Sequence, residues 1–126
     1  ALRDSATRPA DYALLHERLA AADLRVAGFA PGSSAELDAL LYRSHGAVQQ
    51  LAAQLQGGAD AAALATFGAQ LGRGLGIAEA IRDLRQDAID GLPRVPLDAL
   101  AAAGLEPEAL ARAPLPATLT PVLAAM

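Results

Sequence analysis

Apolar residues recur every three or four positions along most of this chain, the period of helices buried on one side. Tyr12, Leu15, Leu19 and Ala22 mark a first stripe. Pro9 suits the opening turn of that helix, and Gly28 with the Pro31-Gly32 breaker ends it after about Val26. Residues 1–8 are polar and read as a ragged end. Ser33 followed by Glu36 forms a capping box that opens a second helix, with Leu37, Leu40, Leu41, Val48, Leu51 and Leu55 as its stripe and Gly57-Gly58 as its stop. Asp60 caps a third helix, whose core candidates are Leu64, Phe67, Leu71, Leu75, Ile81 and Leu84, closed by Gly91 and Pro93. The prolines of residues 93–96 force extended backbone. Short helices are expected near 97–103 and 106–112, split by Gly104. Residues 118–126 read as the opening of another helix, with Thr120 as cap and Pro121 in first position. Ending on such a turn, residues 1–126 are expected to form one all-helical domain that is an incomplete piece of a larger one.

Composition removes the alternatives to helix. Ala and Leu supply 55 of the 126 residues, against 7 Val plus Ile and 4 aromatics, so a sandwich or large sheet is excluded. With no Cys there is no disulfide framework, thiolate metal site or cysteine nucleophile. All ten basic residues are Arg, which excludes a Schiff-base lysine and a P-loop lysine. A net charge of −4 with scattered arginines makes no nucleic-acid footprint. No apolar run is long enough to span a bilayer and no signal pattern opens the chain. The expectation is a cytoplasmic protein whose membrane contact, where it has any, is peripheral.

Glu79, Asp83 and Asp87 stand four residues apart on the third helix, so their carboxylates share one face. Like charges at that spacing disfavour a helix unless something compensates them. Solvent is one answer, and a divalent cation such as Mg²⁺ is another. Gly72, Gly74 and Gly76 lack the preceding strand of a dinucleotide loop and are read as sites of close helix packing. His16 is read as structural or solvated and His45 as packing in preference to proton transfer, and the adjacency of Ser44 and His45 is no evidence of a triad.

Residues 71–96, LGRGLGIAEAIRDLRQDAIDGLPRVP, resemble the second aspartate-rich helix of the squalene/phytoene synthase family. That family typically reads Leu-Gly-x-Ala-x-Gln-x-x-Asn-x-x-Arg-Asp-x-x-x-Asp, then Gly four residues on and Pro five beyond. Leu71, Gly72, Arg82, Asp83, Asp87, Gly91 and Pro96 fall in register with it. Tyr42 and Gly46 match the family's Tyr-x-x-x-Gly helix, and Asp23-Leu24 resembles the Asp-Leu closing the helix before it. The resemblance covers roughly residues 11–110.

The resemblance implies an all-α, terpenoid-synthase-like helical bundle in which aspartate motifs on facing helices hold Mg²⁺ and prenyl diphosphates. It implies a prenyltransferase that joins two such diphosphates head to head. Asp83 and Asp87 would be metal ligands, Arg82 a diphosphate or ion-pair partner, and Tyr42 would face the same cavity. Glu79 joins them as a candidate substrate-binding residue. The chain departs from the family at Gly76, where Gln is usual, at Glu79, where Asn is usual, and at His45, where a small apolar residue is usual. The first aspartate motif is not found before residue 60. These residues alone are therefore expected to be inactive, with the remainder of the fold or another chain as partner. The alternative is a non-catalytic member of the same fold that binds or assembles.

Overall fold

Every regular element among the described residues is helical, as the composition requires; no strand occurs among them. The structure, a computed structural model, describes residues 12–56 and 60–126. Pro9, the polar residues 1–8 and the Gly57-Gly58 stop lie outside that range. The α-helices are α1 (Tyr12–Val26), α2 (Ser34–Leu41), α3 (Ala47–Gln56), α4 (Ala61–Arg82), α5 (Leu84–Ile89), α6 (Leu97–Ala102) and α7 (Leu119–Ala124). A π-helical turn, Tyr42–Gly46, fuses α2 to α3, and a 3₁₀ turn, Pro107–Ala111, follows α6.

The ends of these helices follow their local chemistry. Ser33 Oγ accepts from the Glu36 N–H, while Glu36 Oε2 accepts from the N–H of Gly32, one residue earlier than an ideal capping box. Asp60 Oδ1 accepts from the N–H groups of Ala62 and Ala63. At the other end of α5, Gly91 takes φ +72°, open to glycine at little cost, and the Leu92 N–H reaches back to the Asp87 carbonyl. The last element differs from expectation. α7 begins at Leu119 with Thr118 before it, so Pro121 is third in the helix, within the first turn that tolerates proline.

Leu37, Leu40, Leu41 and Leu51 of the second stripe are buried as expected, but on α4 and α1 the packed faces are not the predicted stripes. On α4 the buried positions are Gly68, Gly72, Gly76 and Ala80, spaced by four, whereas Phe67, Leu71, Leu75 and Ile81 are exposed. A Cβ at Gly72 would lie 2.5 Å from the Cα of Gly46, and one at Gly68 would lie 2.7 Å from the Cα of Gln50. The backbones of α4 and the α2–α3 rod thus touch, running antiparallel, because glycine leaves nothing between them. Gly74, read beforehand as a packing position, faces open space. The same displacement holds on α1: Leu14 and Ala21 are buried, while Tyr12, Leu15 and Leu19 are exposed. Hydrophobic periodicity identifies the most apolar stripe, but the helices meet on the adjacent, smaller-residue face, where close approach is possible.

A separate core lies at the C-terminal end, where Leu84, Val95, Leu100, Leu110, Leu119 and Val122 pack together. The third helix, expected to be continuous, breaks at Asp83 (φ −97°, ψ 8°), and the turn beyond the break buries Leu84 together with Asp87. After Gly91 the chain doubles back. Val95 and Pro96 are fully buried, and the N–H groups of Leu97 and Asp98 bond to the carbonyls of Pro31 and Gly32. This returning strap carries Arg94 over the α4–α5 carboxylates.

Candidate functional site

Three helical segments and the strap converge on the acidic stripe. Arg94, with its side chain only 12% exposed, is the hub: Nε lies 2.6 Å from Asp87 Oδ2, Nη1 3.2 Å from Glu79 Oε2 and Nη2 3.4 Å from Asp83 Oδ2. From the last turn of α1, Arg25 reaches Asp87 Oδ1 at 3.1 Å and the carbonyl of Leu92 at 2.7 Å. Arg82 lies on the exposed flank, gripping Asp83 at 2.8 Å through both Nε and Nη2 and touching Glu79 Oε1 at 3.5 Å. Compensation for the like-charged stripe therefore comes from arginine.

The π turn supplies the last wall. His45 Nε2 lies 2.7 Å from Glu79 Oε2, and Ser44 Oγ lies 2.7 Å from His45 Nδ1. With Glu79 ionised, Nε2 is the donor; Nδ1 then accepts from the Ser44 hydroxyl when the ring is neutral. The Ser44 hydroxyl also lies 3.4 Å from the Leu41 carbonyl. Burial pushes the Glu79 carboxyl upward, but the hydrogen bond and charge of His45, joined by Arg94, hold it below the usual carboxylate value. The Arg82 hydrogen bond, with its charge and that of Arg94, outweighs burial and lowers Asp83 likewise. Burial alone would lower Arg94, yet the Asp87 and Glu79 carboxylates raise it.

A cleft of about 190 Å³ opens beside this network, lined by Arg18, Arg25 and Arg94 with Ser44, His45 and Glu79, over Ala21 and Leu40. His45 and Glu79 are also walls of a neighbouring hollow of about 360 Å³ that runs to Leu75, Ala78 and Arg82.

Of the residues picked out in the sequence, Glu79, Arg82, Asp83 and Asp87 meet here. Tyr42 does not. It lines a different groove with Asp38, Ala69, Gln70 and Arg73, and its hydroxyl bonds to Gln50. The π turn redirects the helix so that Ser44 and His45 face the carboxylates while Tyr42 turns away. Sequence reading missed Arg18, Arg25 and Arg94, and assigned His45 to packing. One signal was available: Arg18 and Arg25, seven residues apart, share a helical face with Leu14 and Ala21. The place of Arg94 is set by the strap and had no such signal.

A family model for squalene/phytoene synthase matches residues 5–126 of the 126. The chain belongs to the squalene/phytoene synthase family. No curated protein and no solved structure matches it. Membership in the squalene/phytoene synthase family relates the chain to synthases acting on prenyl diphosphates, and its all-α architecture agrees with that fold.

The Mg²⁺ implied for Asp83 and Asp87 can be tested against the donor set. All six carboxylate oxygens of Glu79, Asp83 and Asp87 have a cationic or imidazole partner between 2.6 and 3.5 Å. Three arginines, Arg25, Arg82 and Arg94, balance the three carboxylates. Among the described residues no group of three His, Cys, Asp or Glu is arranged to hold a metal ion. In this arrangement the donor set does not fit a divalent cation, which needs free carboxylate oxygens and a net negative site. Among the described residues no helix is long and apolar enough to cross a membrane.

Proposed function

We propose that this squalene/phytoene synthase family member binds an isoprenoid diphosphate as a prenyltransferase does, with its anionic head in the arginine-lined cleft and its tail along the exposed apolar stripe of α4. One observation carries this reading. The cleft and the hollow beside it share His45 and Glu79 as walls, and the hollow opens onto Leu75, from which Leu71 and Phe67 continue the apolar face. Guanidinium groups fixed around a departing diphosphate stabilise the charge that develops on it, and an apolar wall suits a hydrocarbon chain.

Isothermal titration with a non-hydrolysable prenyl diphosphate analogue and with inorganic pyrophosphate tests it. The analogue is expected to bind more tightly, and Leu75→Asn to weaken the analogue by about fivefold, the order expected from losing ~1 kcal/mol of apolar contact. Pyrophosphate is expected to be unaffected by that substitution. Equal affinity of the two ligands would remove the tail from the account.

A second reading, a binding or assembly partner of the same fold without turnover, is favoured by the uncovered apolar stripe of α1. Tyr12, Leu19 and Val26 are 67%, 61% and 91% exposed, a face suited to a covering protein surface. Product formation from prenyl diphosphates separates the two readings.

A further inference from the structure

Three of the positions at which this chain departs from the family pattern, His45, Gly76 and Glu79, are one another's neighbours. A Cβ at Gly76 would lie 3.1 Å from His45 Nδ1 and 2.7 Å from Leu41 Cδ2. The space a side chain would need there is taken first by Leu41 and then by the imidazole. From there His45 reaches Glu79 at 2.7 Å. His45 and Glu79 form one wall of the cleft, and His45 shares Glu79 Oε2 with Arg94.

The acids of the stripe are spent on holding arginines, and those arginines keep donors for something else. A guanidinium carries five N–H groups. Arg94 uses one at each of its three nitrogens, and Arg25 uses two, toward Asp87 and Leu92. Arg18, on the same face of α1, has no hydrogen-bond or ion-pair partner among the described residues. Asp83 and Asp87 stand behind the lining and offset Arg25 and Arg94, so Arg18 is the excess cation: with Arg82, four arginines meet three carboxylates around the cleft. A positive cleft has been made in a chain of net charge −4.

We infer that this cleft is a metal-independent anion site, in which Arg18, Arg25 and Arg94 receive a phosphate or diphosphate group directly and no divalent cation bridges it to Asp83 and Asp87. The inference rests on the reading above for the identity of its ligand, and differs from it in the means of binding.

The test is calorimetry on the purified protein with inorganic pyrophosphate, once in EDTA and once in excess Mg²⁺, with Mg²⁺ alone as a third titration. Pyrophosphate affinity is expected to agree within about twofold between the first two, and Mg²⁺ alone to give no binding. Arg18→Gln, at an exposed residue whose side chain has no partner to lose among the described residues, is expected to weaken pyrophosphate about tenfold in EDTA, as befits a charge-assisted bond at a partly open site. Binding that requires Mg²⁺ would overturn the inference while leaving the prenyl diphosphate reading intact. Binding in EDTA that ignores both Arg18→Gln and Arg25→Gln would place the anion elsewhere and overturn it as well. Failure of pyrophosphate and of the prenyl analogue in every condition would end both.

Discussion

At Asp87 a carboxylate is 6% exposed and is met on both oxygens, by Arg25 at 3.1 Å and Arg94 at 2.6 Å. Removing one member of such a pair strands the rest. Asp87→Asn is expected to cost about 2–3 kcal/mol of stability in urea unfolding, since two guanidinium groups lose their charged acceptor away from water. Asp83→Asn, on the open flank beside Arg82, is expected to leave the midpoint almost unchanged. Equal losses at the two positions would show that the stripe is not divided into a buried and an exposed part. Acid acts on the same contacts. Glu79 is held below its ordinary value of 4.5. Its contribution to stability is therefore complete well above that value and is lost as the pH falls through the lower value of the folded state. The urea midpoint should be level from pH 7 to about 5 and decline below about 4.5; a midpoint that is flat or rises toward pH 3 would contradict this.

The helices were legible as helices, and so was the buried face of α2, but the buried faces of α1 and α4 were not. Capping at Ser33 and Asp60 follows from side chains acting on nearby backbone, and termination at Gly28 and Gly91 from the positive φ that glycine adopts at little cost; both are local information. Which stripe of α4 is buried depends on what arrives from elsewhere, and here it is a backbone, admitted by Gly68, Gly72 and Gly76. The π turn at Tyr42–Gly46 has no sequence signature, yet it decides that His45 and not Tyr42 joins the carboxylates. Two alanine substitutions separate the close-packed glycines from the open one. Gly72→Ala adds a methyl group 2.5 Å from Gly46 and should destabilise by about 1–3 kcal/mol despite alanine's better helix propensity. Gly74→Ala, which meets nothing within 4 Å, should stabilise by about 0.5–1 kcal/mol. Thermal unfolding of the two variants measures this; a loss at Gly74 or a gain at Gly72 would refute the contact between helix backbones.

Across the whole molecule, the site is assembled from α1, the π turn, α4–α5 and the strap of residues 93–98, regions separated by up to 67 positions in the Arg25–Leu92 contact. The acidic stripe and its family resemblance were readable because they lie within 26 consecutive residues, 71–96. The arginines that neutralise it come from both sides in sequence, so a composition of scattered arginines concealed a concentration in space. The same fold leaves the apolar stripe of α4 uncovered beside a positive cleft, a pairing that suits an amphiphile with an anionic head. A crystal structure of the protein with the non-hydrolysable prenyl diphosphate analogue tests that account most directly. Phosphate oxygens within about 3 Å of Arg18, Arg25 and Arg94 are expected, with the tail over Leu75 and Leu71. A head group held at Asp83 and Asp87 through a cation, with the arginine cleft empty, would contradict it.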